Sequence, residues 1–147
     1  MGALADGALK EGGHVLGILP RFMNDVEWGH RGLTELRLVR DLHERKRLMI
    51  ENVDAVVALP GGTGTLEELF EVITLKRLGL YIKPIVLVNT GGFFDPLVSF
   101  LEGIIREKFM DARHREMWCL VKDAEDVVQA IQQAPPWSQE ARDFALV

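Results

Sequence analysis

A chain of 147 residues with a formal net charge of −5 is about one domain long and lacks the basic face that non-specific binding to a nucleic-acid polymer requires. Apolar residues at 48% and charged residues at 27% exclude wholesale disorder, and no apolar run reaches the roughly 18 residues of a membrane span. The single cysteine, Cys119, cannot close an internal disulfide, and without a secretory signal the expectation is a cytoplasmic protein.

In chain order, residues Met1 to Glu11 have helical spacing at Leu4, Ala5, Ala8 and Leu9, with Gly12-Gly13 as a stop. A short apolar strand follows from His14 to Leu19, then a polar segment, then a strand from Glu35 to Val39. Asp41 to Asn52 is helical, Asp54 to Leu59 is a buried-type strand, and Thr65 to Leu78 is a long amphipathic helix. Pro84 to Asn89 is another buried strand, closed by Gly91-Gly92. The remaining expectations are helices from Asp95 to Lys108 and Ala112 to Glu116, a strand from Trp118 to Val121 and a helix from Asp123 to Gln132. Cys119 lies in the apolar run Met117 to Val121 and is read as a packing residue rather than a nucleophile.

Continuously apolar strands alternating with helices predict a parallel sheet covered on both faces, a three-layer, doubly wound α/β fold of Rossmann-like type. Residues 1–134 are expected to form that domain, and residues 135–147 a tail that is surface-laid or mobile. In such folds the ligand lies beyond the carboxyl ends of the strands.

The stretch Ala58 to Leu69, ALPGGTGTLEEL, falls at such an end. Pro60 stops the strand, while Gly61, Gly62 and Gly64 allow a tight turn and close approach of a ligand to the backbone. The helix that follows offers unpaired amides and the positive end of its dipole, so a phosphate fits. The spacing matches neither the NTPase phosphate loop nor the dinucleotide fingerprint, which demotes ATP hydrolysis and NAD binding. Thr63 and Thr65 can add hydroxyl donors.

Thr65-Leu66-Glu67-Glu68 also fits a capping box, with Thr65 as the cap and Glu68 reaching back. Glu67 could equally be a first-turn carboxylate favoured by the dipole. In the preceding helix Arg45 shares a face with Leu42 and Met49, and an arginine on a buried stripe requires a partner. A pair between Arg45 and the glutamates across the crevice is one expectation, and Lys46 can reach a phosphate. Basic residues from Arg37 through Arg40 to Arg47 suit a small anion better than a polymer, although a solvated helix face explains them too. The histidines are scattered, so no metal centre is expected, and Ser99 and Ser138 lack a nucleophile elbow.

HERK at His43 to Lys46, followed by LPGGTGTLEEL at Leu59 to Leu69, resembles the Lonely Guy family of cytokinin-activating phosphoribohydrolases, long labelled as lysine decarboxylases. The likeness runs from Met1 to about Gln132 and includes HRGLTEL at His30 to Leu36 and GGFFDPLVSFL at Gly91 to Leu101. It implies hydrolysis of the N-glycosidic bond of AMP or an N6-modified AMP, giving free base and ribose 5-phosphate. It further implies a catalytic pair, Arg45 and Glu68, and a substrate shell of Glu27, Lys46, Gly61, Gly62, Thr63, Gly64, Thr65, Glu67 and Thr74. No metal or organic cofactor is implied, and the expected assembly is a homodimer or higher homo-oligomer.

Two departures stand out. Members of the family carry a strand, a helix and a glycine-rich segment ahead of a Met-Gly like Met1-Gly2, so one β-α unit is expected to be missing here. Thr63 stands where an aromatic is common. The alternative reading is a non-catalytic nucleotide- or molybdenum-cofactor-binding protein of the same fold, which would use the loop without needing Glu68.

Overall fold

The computed structural model describes residues 1–24, 30 and 32–145. It divides into two compact units, Met1–Asn52 and Val53–Val147. Among the described residues no helix is long and apolar enough to cross a membrane.

The first unit comprises α1 (Gly2–Lys10), β1 (Leu16–Pro20), α2 (Arg21–Asn24), β2 (Glu35–Val39) and α3 (Leu42–Ile50). Helix α1 ends as its glycines require. Gly12 takes φ +75°, its amide donates to Leu9 O, and the Gly13 amide donates to Ala8 O at 2.8 Å, the double closure of a Schellman motif. Strands β1 and β2 run parallel, in register from Leu16 opposite Glu35 to Pro20 opposite Val39. Of β2 only Val39 is buried, and Leu36 and Leu38 remain 39% and 37% exposed.

The second unit carries β3 (Val56–Ala58), α4 (Thr63–Arg77), β4 (Ile85–Val88), α5 (Asp95–Arg106), β5 (Cys119–Val121) and α6 (Val127–Gln133). Short 3₁₀ turns lie at Thr90–Gly92, Ala112–Met117, Ala124–Asp126 and Gln139–Phe144. The sheet order is β3-β4-β5, parallel throughout, and helices make the crossovers that parallel neighbours demand. Every residue of the central strand β4 is buried. Val86 and Val88 pack with Val121, Val127, Ala130 and Ile131, so α6 covers one face. Ile85 and Leu87 point to the other face by strand alternation and are fully buried, and Leu69, Val72 and Ile73 of α4 and Leu101 and Ile105 of α5 are buried as well. This is the α/β, Rossmann-like class that the sequence predicts.

The segment after Pro135 packs on this unit. Trp137 Nε1 donates to Lys76 O at 2.7 Å, Arg77 Nη2 donates to Ala145 O at 2.7 Å, and Ala141 and Ala145 are buried. Gly79, at φ +69°, lies under it, and a Cβ there would meet Gln139 O at 2.5 Å.

Candidate functional site

The glycine stretch leaves β3 at its carboxyl end and runs straight into α4. The N-cap of α4 is Gly62, which has no side-chain capping bond, and the first helical residue is Thr63. The helix therefore starts two residues earlier than expected. Thr65 is its third residue, and Glu68 lies a full turn too deep for a capping box. The box reading is thereby corrected, because the glycine backbone enters the helix without help from a threonine cap. A related arrangement stands on α3 instead. Asp41 Oδ1 accepts from the Glu44 amide at 2.8 Å, and Glu44 Oε2 accepts from the Arg40 amide at 2.8 Å and from Arg40 Nε at 3.1 Å. Those amide bonds hold both carboxyls below their ordinary range.

The three glycines of the loop differ in what they accommodate. A Cβ at Gly61 would fall on the Thr65 hydroxyl, so this glycine lets the threonine fold back over the turn. Around Gly62 and Gly64 nothing lies within 4 Å of such a Cβ, and neither residue has positive φ. Neither internal packing nor backbone conformation requires glycine at those two places. They leave the start of α4 bare toward its surroundings, with its amides and dipole accessible to an anion.

Glu67 is exposed and Glu68 half-buried. Helical side chains lean toward the N-terminus, over the residues three and four positions earlier. Glu68 accordingly stands one turn beyond Gly64 and Thr65 on the same face of α4. Thr74 sits eleven positions beyond Thr63, about 16 Å along the axis, and its hydroxyl donates to Phe70 O at 2.7 Å. The structure thus brings Gly61, Gly62, Thr63, Gly64, Thr65, Glu67 and Glu68 together, and places Thr74 three turns away on the same helix.

Arg45 and Lys46 belong to the first unit. Arg45 Nε donates to Ile18 O at 3.0 Å, which fastens the guanidinium to β1 with one of its five N–H donors. The expected buried stripe of α3 is displaced by one residue: Leu42 is 42% exposed, Arg45 is half-buried, and Lys46 is buried. Lys46 shares its face with half-buried Met49 and Ile50, where a lysine stem can supply apolar surface while its amine reaches outward. Glu27 lies outside the described residues.

Buried Lys76 and His114 carry titratable side chains that the sequence reading does not single out. Lys76 is 2% exposed, its Nζ donates to Lys83 O at 2.8 Å, and burial lowers its pKa to about 8. A signal existed, since Leu69, Val72, Ile73 and Lys76 form an i, i+3, i+4, i+7 stripe. His114 is fully buried within a 3₁₀ turn, where no periodicity betrays it.

Residues 1–131 match the family described as "possible lysine decarboxylase". The chain is 46% identical over 132 residues to the cytokinin riboside 5′-monophosphate phosphoribohydrolase of Rhodococcoides fascians, covering 89% of this chain and 67% of that protein. To a cytokinin riboside 5′-monophosphate phosphoribohydrolase of Arabidopsis thaliana it is 38% identical over 136 residues, 92% of this chain and 63% of that protein. The chain thus spans roughly three-fifths to two-thirds of the length of these relatives.

Proposed function

The chain belongs to this family, the Lonely Guy family, and from that premise we propose that it hydrolyses the N-glycosidic bond of a nucleoside 5′-monophosphate. The substrate is AMP or an N6-modified AMP, a cytokinin riboside 5′-monophosphate, and the products are free base and ribose 5-phosphate. The observation that carries the reading is the state of Glu68. It stands beyond any capping position, half-buried, one turn beyond a loop whose Gly62 and Gly64 are open to a ligand.

The phosphate sits on the amides at the start of α4, with the Thr63 and Thr65 hydroxyls as further donors. As the bond from C1′ to the base nitrogen lengthens, positive charge builds on the ribose, and the Glu68 carboxylate stabilises it. The same carboxylate orients the water whose oxygen bonds to C1′ and accepts its proton, while the departing base nitrogen takes up a proton from solvent, so that one water is consumed overall. The family resemblance assigns Arg45 with Glu68 as the catalytic residues and Lys46 to the ligand shell, where a cation suits a phosphate. Glu67 joins the ligand shell, and Glu27 and Thr74 are assigned to it by the family resemblance alone. No metal or organic cofactor takes part, and the working form is a cytoplasmic homodimer or higher homo-oligomer.

Incubation with AMP and with isopentenyladenosine monophosphate, followed by chromatography, tests this directly. Stoichiometric appearance of free base and ribose 5-phosphate is expected. Tight binding of the nucleotide with no base released would favour a binding protein of the same fold.

A further inference from the structure

The segment Pro135 to Ala145 forms a strap over the C-terminal half of α4, and we propose that His114 is its proton-operated release. With a neutral imidazole the strap lies closed, and with an imidazolium it lifts.

The His114 ring is fully buried, and neither Nδ1 nor Nε2 has a hydrogen-bond partner among the described residues. The strap packs two aromatic rings against it, beside the cover that α4 and α5 give to its turn. The Phe144 ring lies 5.2 Å away, centroid to centroid, and the Trp137 ring 6.3 Å away, and these two rings meet edge to face at 5.9 Å. A neutral imidazole tolerates such a box at the cost of an unmade bond. An imidazolium has two donors to satisfy and a charge to hydrate, which this box denies it.

The charges around the ring act in both directions: Arg77 and Arg113 add to the penalty, while the Asp111 carboxylate and backbone favour the cation without offsetting burial. From α4, Arg77 faces it and opposes a second positive charge. On its own turn, Arg113 lies over Phe144 at 3.7 Å, and Asp111 is engaged by Arg113 at 2.8 and 3.0 Å. From α5, Glu102 is paired with Arg115 at 3.7 Å. On the strap, Arg142 and Asp143 are exposed and face each other at 4.0 Å, and Glu140 is exposed. The amine of Lys76 is turned to Lys83 O and lies 5.8 Å from the Trp137 ring centroid. Burial first, then Arg77, hold His114 below its ordinary value of 6.5.

Lifting the strap is the least costly way to hydrate the ring. The strap is held by the Trp137 bond to Lys76 O, the Arg77 bond to Ala145 O, the small side chains of Ala141 and Ala145 and the aromatic cover itself. The other route would open α4 and the sheet core. Segments with few buried contacts open first. The sign follows from linkage. The open state binds the proton more readily, so closure weakens as pH falls below about 6.5 and is complete above it.

The test follows the indole N–H of Trp137 and the ring protons of His114 by NMR on the full chain from pH 7.5 to 4.5. Correction for intrinsic exchange leaves protection of the indole as the readout. We expect at least about a tenfold loss of protection, with the same midpoint as the His114 titration and below 6.5, while the β4 amides stay protected. In His114→Phe the indole stays protected across the range. Titration of His114 without change at Trp137, an unchanged pH response in His114→Phe, or simultaneous loss of the β4 amides would each overturn the proposal. The coincidence of the two wild-type midpoints decides the matter even if the variant fails to fold.

Discussion

The two units position their candidate residues by different means. In the second, β4 is buried along its whole length, and the glycine loop and Glu68 ride on α4, whose Leu69, Val72 and Ile73 are locked into the core beside that strand. In the first, β2 leaves its leucines more than a third exposed. Helix α3 there is started by the Asp41 cap and the Glu44 return to Arg40, and Arg45 is tied to Ile18 O. The glycine loop and Glu68 thus ride on a packed helix, while Arg45 is tied by a hydrogen bond. Packing tolerates loss of volume poorly, and hydrogen-bonded positioning at a surface fails in smaller steps.

Substitutions in the two halves should separate these regimes. Leu87→Ala, in the centre of β4, is expected to lower unfolding stability by about 2–5 kcal/mol, as large-to-small core changes do. Urea unfolding checks it, and a loss below about 1 kcal/mol would remove the claim that this core is tightly packed. Gly79→Ala combines a positive φ with an overlap against Gln139 O and should cost about 2 kcal/mol, together with earlier proteolytic release of the strap. Asp41→Ala removes the cap of α3 and should raise KM for the nucleotide while leaving the unfolding stability of the second unit unchanged. Leu38→Ala, at a half-open position of β2, should fall within about 0.5 kcal/mol of the parent. If it cost as much as Leu87→Ala, the contrast between the units would be lost.

The fold was legible where the signal is local. The strand Glu35–Val39 was read to the residue, because punctuation and alternation fall on the same bounds. The start of α4 was misread by two residues, since Thr65-x-x-Glu68 imitates a capping box while Gly62 does the capping. The loop of the candidate site was legible for the same local reason, its glycines being contiguous in sequence. The stripe of α3 was misplaced because one exposed leucine, Leu42, outweighed a buried lysine stem in a pattern count. The burial of His114 was invisible, since Trp137 and Phe144, from a segment more than twenty residues away, and the helices α4 and α5 pack around its turn. Tertiary cover of that kind leaves no period in a sequence.

The central claim is that Glu68 performs chemistry rather than capping. The most direct measurement is kcat and KM for AMP or isopentenyladenosine monophosphate in Glu68→Gln, with nucleotide affinity measured alongside. Loss of general-base and electrostatic assistance predicts a fall in kcat of about 10²–10⁴-fold, with nucleotide affinity within a few-fold of the parent and unfolding stability unchanged. Parental turnover in Glu68→Gln would contradict the account, as would a fall in turnover that only tracks a loss of folding.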